Sequence, residues 1–168
     1  MESLPVLAGD GLRLREVHLS DAAALTALFQ KPEVSAYLDP PPGTVEEFGT
    51  WINLSQSRRA DGRAACYTLI TGCEEVSGLF MALRLAEMHR AEIGFALDPK
   101  VWGTGIFMKT MALYLDFLFN EWGVKTLMGK TAIDNARGVG AMRKLGAQVI
   151  DRADRNGFAE YVWTIERG

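Results

Sequence analysis

Gly103 and Gly105 stand one residue apart in the stretch WGTGIF (102–107), directly before an apolar-rich run of helical spacing that reaches Trp122. Glycine suits a helix interior poorly, so two of them where a helix is about to begin call for a reason. One reason is an ordinary tight turn. The other is chemical: the start of a helix leaves about four backbone N–H groups without intrahelical partners, and with the helix dipole they form an anion site. With no Cβ at 103 and 105, a phosphate could reach the N–H groups of Trp102, Thr104 and Ile106, and the Thr104 hydroxyl would add a donor. The glycine pair alone leaves turn and phosphate loop both open.

Rival chemistries fail on residue count. A P-loop needs G-x-x-x-x-G-K-[ST], and neither that spacing nor the Lys-Ser/Thr pair is present. A dinucleotide fingerprint needs a third glycine at position 108, which is Met108. Cys66, Cys73, His18 and His89 are the only cysteines and histidines, and their spacing matches no metal site, so no metal is expected. Cys66, within the apolar run AACYTLI, reads as a small core residue rather than a nucleophile.

The elements that must hold the glycine loop follow from patterning. LRLREV (12–17) alternates as a half-buried strand, and Ser20 offers an N-cap to DAAALTALFQ. DPPPG (39–43) breaks the chain; Thr44 then caps VEEFGTWINLSQSRRA, with Glu47 placed to close a capping box. Between Ala64 and Leu97 three β-rich runs separated by turn-length GCEE and AEMH predict three antiparallel strands. A helix over about 105–122 ends at Gly123, a strand covers 125–133, and a short helix over 134–146 stops at Gly146. AQVIDRA and AEYVWTIER close as a hairpin around Asn156-Gly157. This order, β α α β β β α β α β β, is a mixed α+β arrangement with a parallel β-α-β crossover only around the 105–122 helix.

At 168 residues, 48% apolar and 23% charged, the chain suits one domain spanning 1–168. Eighteen Lys and Arg against 21 Asp and Glu give a net charge of -3, without the basic field of a nonspecific nucleic-acid binder. The start MESLPVLAGDGLRL carries no secretory pattern and no window reaches about 18 uninterrupted apolar residues, so no membrane partner is expected and a cytoplasmic location is the default.

In this setting the glycine loop resembles that of the GNAT superfamily of acyl-CoA-dependent N-acyltransferases. That family's central motif is a strand, then Gln/Arg-x-x-Gly-x-Gly/Ala, then a helix, and KVWGTG (100–105) follows it with Lys100 in first place. A second family motif, Asn-x-x-Ser followed by Lys-Leu-Gly, is matched by NARGVGAMRKLG from Asn135 to Gly146. AEIGFALDP with WGTGIF is similar to the branch that includes ribosomal-protein alanine acetyltransferases. The resemblance covers nearly the whole chain. It implies a three-layer fold: a central, mostly antiparallel mixed sheet with one splayed parallel pair and helices on both faces.

It also implies a co-substrate, acetyl-CoA, with its diphosphate on the backbone of Lys100, Val101, Trp102, Gly103, Thr104, Gly105, Ile106 and Phe107. Its pantetheine arm would enter the gap between the strand ending near Leu97 and the one ending near Ile133, meeting main-chain groups of Ala96, Leu97 and Asp98 and the side chain of Asn135. An N–H at Ala96 or Leu97 would face the thioester oxygen and stabilise developing charge. The resemblance makes Glu92, in AEI, the candidate general base, its pKa raised toward neutrality if apolar residues pack against it; the competing reading is a solvent-facing carboxylate. Two departures stand out. Met142 occupies the place of a proton-donating Tyr, so either the thiolate leaves with solvent's help or another residue such as Tyr114 or Tyr161 serves, and Gly138 occupies the place of the helix-capping Ser, with Gly140 a second glycine in the same helix. The function implied is acetyl transfer to a primary amine, either a small molecule or a protein N-terminus. A binding-only acyl-CoA domain is the alternative. Tyr37, Trp51, Phe29 and Phe48 are candidates for an acceptor pocket or for core, and a homodimer is left open.

Overall fold

The structure, a computed structural model, describes residues 1–155 and 157–168. Its centre is an eight-stranded sheet, in spatial order β1-β2-β3-β4-β5-β6-β8-β7. The strands are β1 (Leu7–Gly9), β2 (Leu12–Glu16), β3 (Ala64–Thr71), β4 (Glu75–Arg84), β5 (Arg90–Leu97), β6 (Thr126–Ala132), β7 (Gln148–Arg155) and β8 (Phe158–Glu166). Every neighbouring pair is antiparallel except β5 and β6. The helices are α1 (Ala22–Phe29), α2 (Pro32–Ser35), α3 (Val45–Ala60), α4 (Ile106–Asp116) and α5 (Ala136–Lys144). No helix among the described residues is long and apolar enough to cross a membrane.

The sheet is buried on both faces at its middle, so β3, AACYTLIT, shows no apolar-polar alternation and is buried for nearly its whole length. On one face Tyr67, Leu69, Phe80 and Ile93 pack against Met111, Tyr114 and Phe117 of the α4 segment and Val139 and Met142 of α5. On the other, Ala64, Cys66 and Leu79 pack against Leu25 and Leu28 of α1 and Phe48 and Ile52 of α3. This is the three-layer arrangement expected. Cys66 is buried in the second layer, where desolvation first and the charge of Glu16 next push its thiol up to about 12.

Local chemistry moved several element boundaries. The sequence reading placed an N-cap at Ser20, but α1 follows Asp21 without a side-chain cap bond, and the capped element is the short 3-10 turn Leu19–Asp21 before it: His18 Nδ1 accepts from Ser20 N–H, and the Asp21 carboxylate accepts from His18 N–H at 2.9 Å. The cause lies beneath, where Asp21 is drawn into the interior by a two-pronged bond from Arg15 (2.8 and 2.7 Å) and by the Thr68 hydroxyl. Thr44 does cap α3, while Glu47 reaches Gly43 N–H rather than the cap residue's own. The long helix begins at Ile106 as expected, but its last turn, Phe117–Glu121, is a π-turn closed by Trp122 N–H on the Phe117 carbonyl. Gly123 and Gly146 follow their helices with φ of 79° and 75°, the left-handed stop anticipated for each. β1 went unread although Asp10 and Gly11, with φ of 52° and 77°, are the Asp-Gly hairpin signal. In the final hairpin, Asn156 lies outside the described residues.

Candidate active site

β5 and β6 are joined only at Arg90, Ala91 and Glu92, opposite Thr126, Leu127 and Met128. Beyond that point no register connects them, and the chain from Ile93 to Leu97 has an open edge. Which groups face this gap follows from strand alternation. Asp98 N–H donates to the Ser77 carbonyl at 2.8 Å, and the Ala96 carbonyl also lies toward β4, within 2.8 Å of where a Cβ on Gly78 would sit. Ala96 therefore spends its backbone polar groups on β4, while Phe95 and Leu97 turn theirs toward β6. This corrects the expectation for Ala96 and Asp98: of the two oxyanion donors considered, only Leu97 points its N–H into the gap, and Phe95 joins it. The Leu97 carbonyl is taken, accepting from Trp102 Nε1 at 3.0 Å.

The glycine loop follows directly. Asp98 caps the turn Pro99–Val101 by accepting from Lys100 N–H at 3.0 Å, and its other oxygen pairs with Lys31 Nζ at 2.7 Å. Burial opposes the Asp98 charge, but those partners outweigh it and hold the carboxyl below its usual range. Gly103 and Gly105 have φ of 71° and 83°, and nothing lies within 4 Å of where a Cβ would be on either. The left-handed backbone requires glycine, and the space in front of it is open, as an anion cradle at the α4 N-terminus needs. One neighbour does not contribute as expected: the Thr104 hydroxyl donates to the Val101 carbonyl at 2.5 Å; the Lys100 side chain reaches out to Glu75.

A cleft of about 580 Å³ runs from this loop to α5. Of the residues singled out from sequence, Ala96, Leu97, Val101, Trp102, Gly103, Gly105, Phe107 and Asn135 border it; Asp98, Lys100, Thr104 and Ile106 do not. Asn135 caps α5, its Oδ1 accepting from Gly138 N–H at 3.0 Å, which leaves its amide NH₂ for a ligand. Arg137, not anticipated, stacks its guanidinium over the Trp102 ring at 3.9 Å and brings positive charge to the rim.

A second cavity, about 420 Å³, opens on the α1 and α3 side of the sheet. Phe29, Phe48 and Trp51 wall it, so these aromatics serve core and cavity together, and Tyr37 to Pro42 cross it as a strap. Tyr37, Leu38, Phe95 and Ala96 border both cavities, which therefore meet at the open edge of β5. Glu92 stands in the second cavity at the last paired position of β5, 3.5 Å from Lys130 Nζ. Its side chain keeps 38% of its surface in solvent, so the apolar packing imagined around it is absent.

The departures from the family pattern have structural explanations. Met142 is 1% exposed and packs over Gly129, where an added Cβ would come within 3.0 Å of its methyl; it is a core residue and not a failed proton donor. Gly138 is not the cap position but lies under the capping Asn135, whose amide would sit 2.7 Å from a Cβ there. For Gly140 the structure offers no reason. Tyr114 is fully buried and donates to the Ala65 carbonyl at 2.8 Å, and Tyr161 packs on Trp163 on the α5 face, so neither reaches a cavity. Tyr37 is the tyrosine that does. His89 is exposed and borders neither.

Residues 11–148 match the acetyltransferase (GNAT) domain family. The chain belongs to the GNAT acetyltransferases. Relatives include the N-acetyltransferases p20 of Bacillus licheniformis, 26% identical over 148 residues (86% of this chain, 83% of p20), and YoaA of Bacillus subtilis, 26% identical over 155 residues with the same coverage. GNAT folds superpose closely. The ribosomal-protein-S5-alanine acetyltransferase of Vibrio fischeri has a TM-score of 0.85 at 13% identity over 96% of each chain. The Salmonella typhimurium enzyme that modifies the N-terminal serine of ribosomal protein L7/L12 gives 0.86 at 18%, over 98% of this chain and 100% of that one. RimJ of Mycobacterium smegmatis, solved with CoA-disulfide, gives 0.81 at 17%, over 96% and 84%. The branch suggested by the motifs is thus represented among the GNAT neighbours in fold.

Proposed function

We propose that this GNAT protein moves an acetyl group from acetyl-CoA to a primary amine, a small molecule's or a protein N-terminus's, by direct attack within a ternary complex. The observation that carries the reading is the meeting of two cavities at Phe95 and Ala96, one leading to the glycine loop and one to Glu92. The open loop at Gly103 and Gly105, the α4 N-terminus behind it and Arg137 at the rim suit a diphosphate, and Asn135 and the exposed edge of β5 suit the amide-bearing arm. The thioester, when bound, supplies an activated carbonyl carbon.

The chain's own residues then have defined tasks. The incoming amine, mostly ammonium at neutral pH, gives up a proton to Glu92 directly or through water, and its lone pair forms the C–N bond. Leu97 N–H and Phe95 N–H face the place where negative charge develops on the carbonyl oxygen. The nitrogen, positively charged once the C–N bond forms, would shed its second proton to water; as the C–S bond breaks, the departing thiolate would take the electron pair and a proton from the Tyr37 hydroxyl, which solvent replenishes. Among the described residues neither cavity is bordered by a cysteine, which favours direct attack over an acylated enzyme. Thiol release measured across amines, polyamines and peptides tests this. One acetylamide formed per thiol, with intersecting double-reciprocal lines, is the expected result; a coenzyme-induced thermal shift with no turnover on any amine would leave only an acyl-CoA-binding domain.

A further inference from the structure

The shape and lining of the second cavity say what kind of amine it takes. Glu92, Gly94 and Ala96 share one face of β5, and they point at the layer of α1 and α3. Gly94 contributes no side chain and Ala96 only a methyl, so beside Glu92 the cavity is bounded by the side chains of β4 that lie against this strand. Its floor is Leu79 and Met81, the latter near enough to touch a Cβ placed on Gly94 at 3.2 Å. The inner wall is aromatic: Phe48 stands 5.4 Å from Phe29 and 6.1 Å from Trp51, centroid to centroid. The outer wall is Phe158, 43% exposed, and the strap adds Leu38 at 37% and Tyr37 at 42%. Large apolar groups left to water around one hollow are surface that a ligand of matching chemistry would cover.

The charges are arranged at the margin. Glu92, Glu160 and Asp39 bring three carboxylates against the cations Lys130 and Arg155, an excess of one negative charge that suits an ammonium. The margin is also closed over. Arg155 on β7 forms an ion pair with Asp39 of the strap, Pro40, Pro41 and Pro42 stiffen the residues after it, and Lys31, at the start of α2 ahead of the strap, pairs with Asp98. A polypeptide leading away from the reacting amine would have to pass this crossing; a small molecule would not.

We infer that the acceptor is a small primary amine carried on a bulky apolar body of about the size of an aromatic ring, rather than a protein N-terminus bearing the side chain of alanine or serine. This rests on the acetyl-transfer reading above. The ammonium lies toward Glu92, and the body fills the space between Phe29, Trp51, Met81 and Phe158.

The test compares kcat/KM for thiol release with 2-phenylethylamine, cyclohexylmethylamine, ethylamine, ethanolamine and octapeptides beginning with Ala or Ser. Covering a ring-sized apolar group should favour the two bulky amines over ethylamine by roughly 10²-fold. Phe158→Ala, at an exposed position that does not threaten folding, should lower kcat/KM for 2-phenylethylamine about tenfold and that for ethylamine less than twofold. The coenzyme-induced thermal shift should be unchanged. Equal rates across body size, or a preference for the Ala or Ser peptides, overturns this inference while leaving acetyl transfer standing. Absence of turnover with every amine overturns acetyl transfer itself; calorimetric titration of 2-phenylethylamine into the coenzyme-bound protein then decides the cavity separately, and no heat of binding overturns it.

Discussion

The cleft proposed for the coenzyme and the cavity proposed for the acceptor share a wall at Phe95 and Ala96, yet they are made of different materials. The first is built around backbone: an unpaired strand edge, two left-handed glycines and a helix N-terminus, all within residues 95–107, with 33–38 and 134–144 completing its walls. The second is side chains from seven elements and a strap, spread from Phe29 to Glu160. A backbone site tolerates change in the side chains around it, because its donors come with the fold. A side-chain site changes whenever one of its residues does. One fold can thus keep a common donor of acyl groups while its acceptor varies.

That contrast can be broken by substitution. The largest effect is expected from Glu92→Gln, which removes the base and should lower kcat/KM by about 10²–10⁴-fold while leaving the coenzyme-induced thermal shift intact. Unchanged turnover would remove Glu92 from the chemistry. Next comes the support of the acceptor wall: Asp21→Ala strands the Arg15 guanidinium beneath α1 and should cost about 3 kcal/mol in denaturant unfolding. The same group sets an acid limit. Burial opposes the Asp21 charge, but Arg15, His18 N–H and the Thr68 hydroxyl outweigh it, so its folded-state pKa lies below the unfolded value of about 3.9. Its stabilisation is therefore complete above that pH and is lost as pH falls through it toward the folded value. Acid unfolding followed by circular dichroism should show that loss in the wild type and a flatter profile in Asp21→Asn.

On the coenzyme side, ligand at about 100 times its Kd should stabilise the wild type by about 2.7 kcal/mol. Gly105→Val should abolish that gain, since a β-branched residue neither adopts φ of 83° nor leaves the cradle empty. A retained shift would mean that the diphosphate lies elsewhere. The smallest effect belongs to the join between the regions. Lys31→Ala breaks a partly exposed pair with Asp98, costing about 0.2–1 kcal/mol of stability, and should raise the acceptor KM a few-fold without altering coenzyme affinity.

The same contrast explains what the sequence disclosed. The coenzyme cleft was legible because its parts are contiguous: glycines at fixed spacing before a helical run, and an Asn nine residues ahead of Lys-Leu-Gly, can be read off the chain. Even so, direction was not legible. That Ala96 faces β4 and Leu97 the gap depends on the phase of one hydrogen bond, Asp98 to Ser77, and that Thr104 and Lys100 turn away depends on Val101 and Glu75 being within reach. The acceptor cavity was legible only as a set of aromatics without a place. Tyr37, Lys130, Arg155 and Phe158 are separated by up to 121 positions and converge only because β8 inserts between β6 and β7, an order that no local pattern encodes. Nor does any local pattern mark Gly94, whose missing side chain lets Met81 of β4 lie against β5 beside Glu92.

The most direct measurement is a crystal structure with a bisubstrate analogue, coenzyme A joined through an acetyl bridge to a primary amine. The diphosphate should rest on the amides between Gly103 and Ile106, the bridge should pass between Phe95 and Ala96 on one side and Tyr37 on the other, and the amine nitrogen should lie within hydrogen-bond or one-water reach of Glu92. A diphosphate bound away from the glycine loop, or an amine emerging on the α5 face of the sheet, would contradict it.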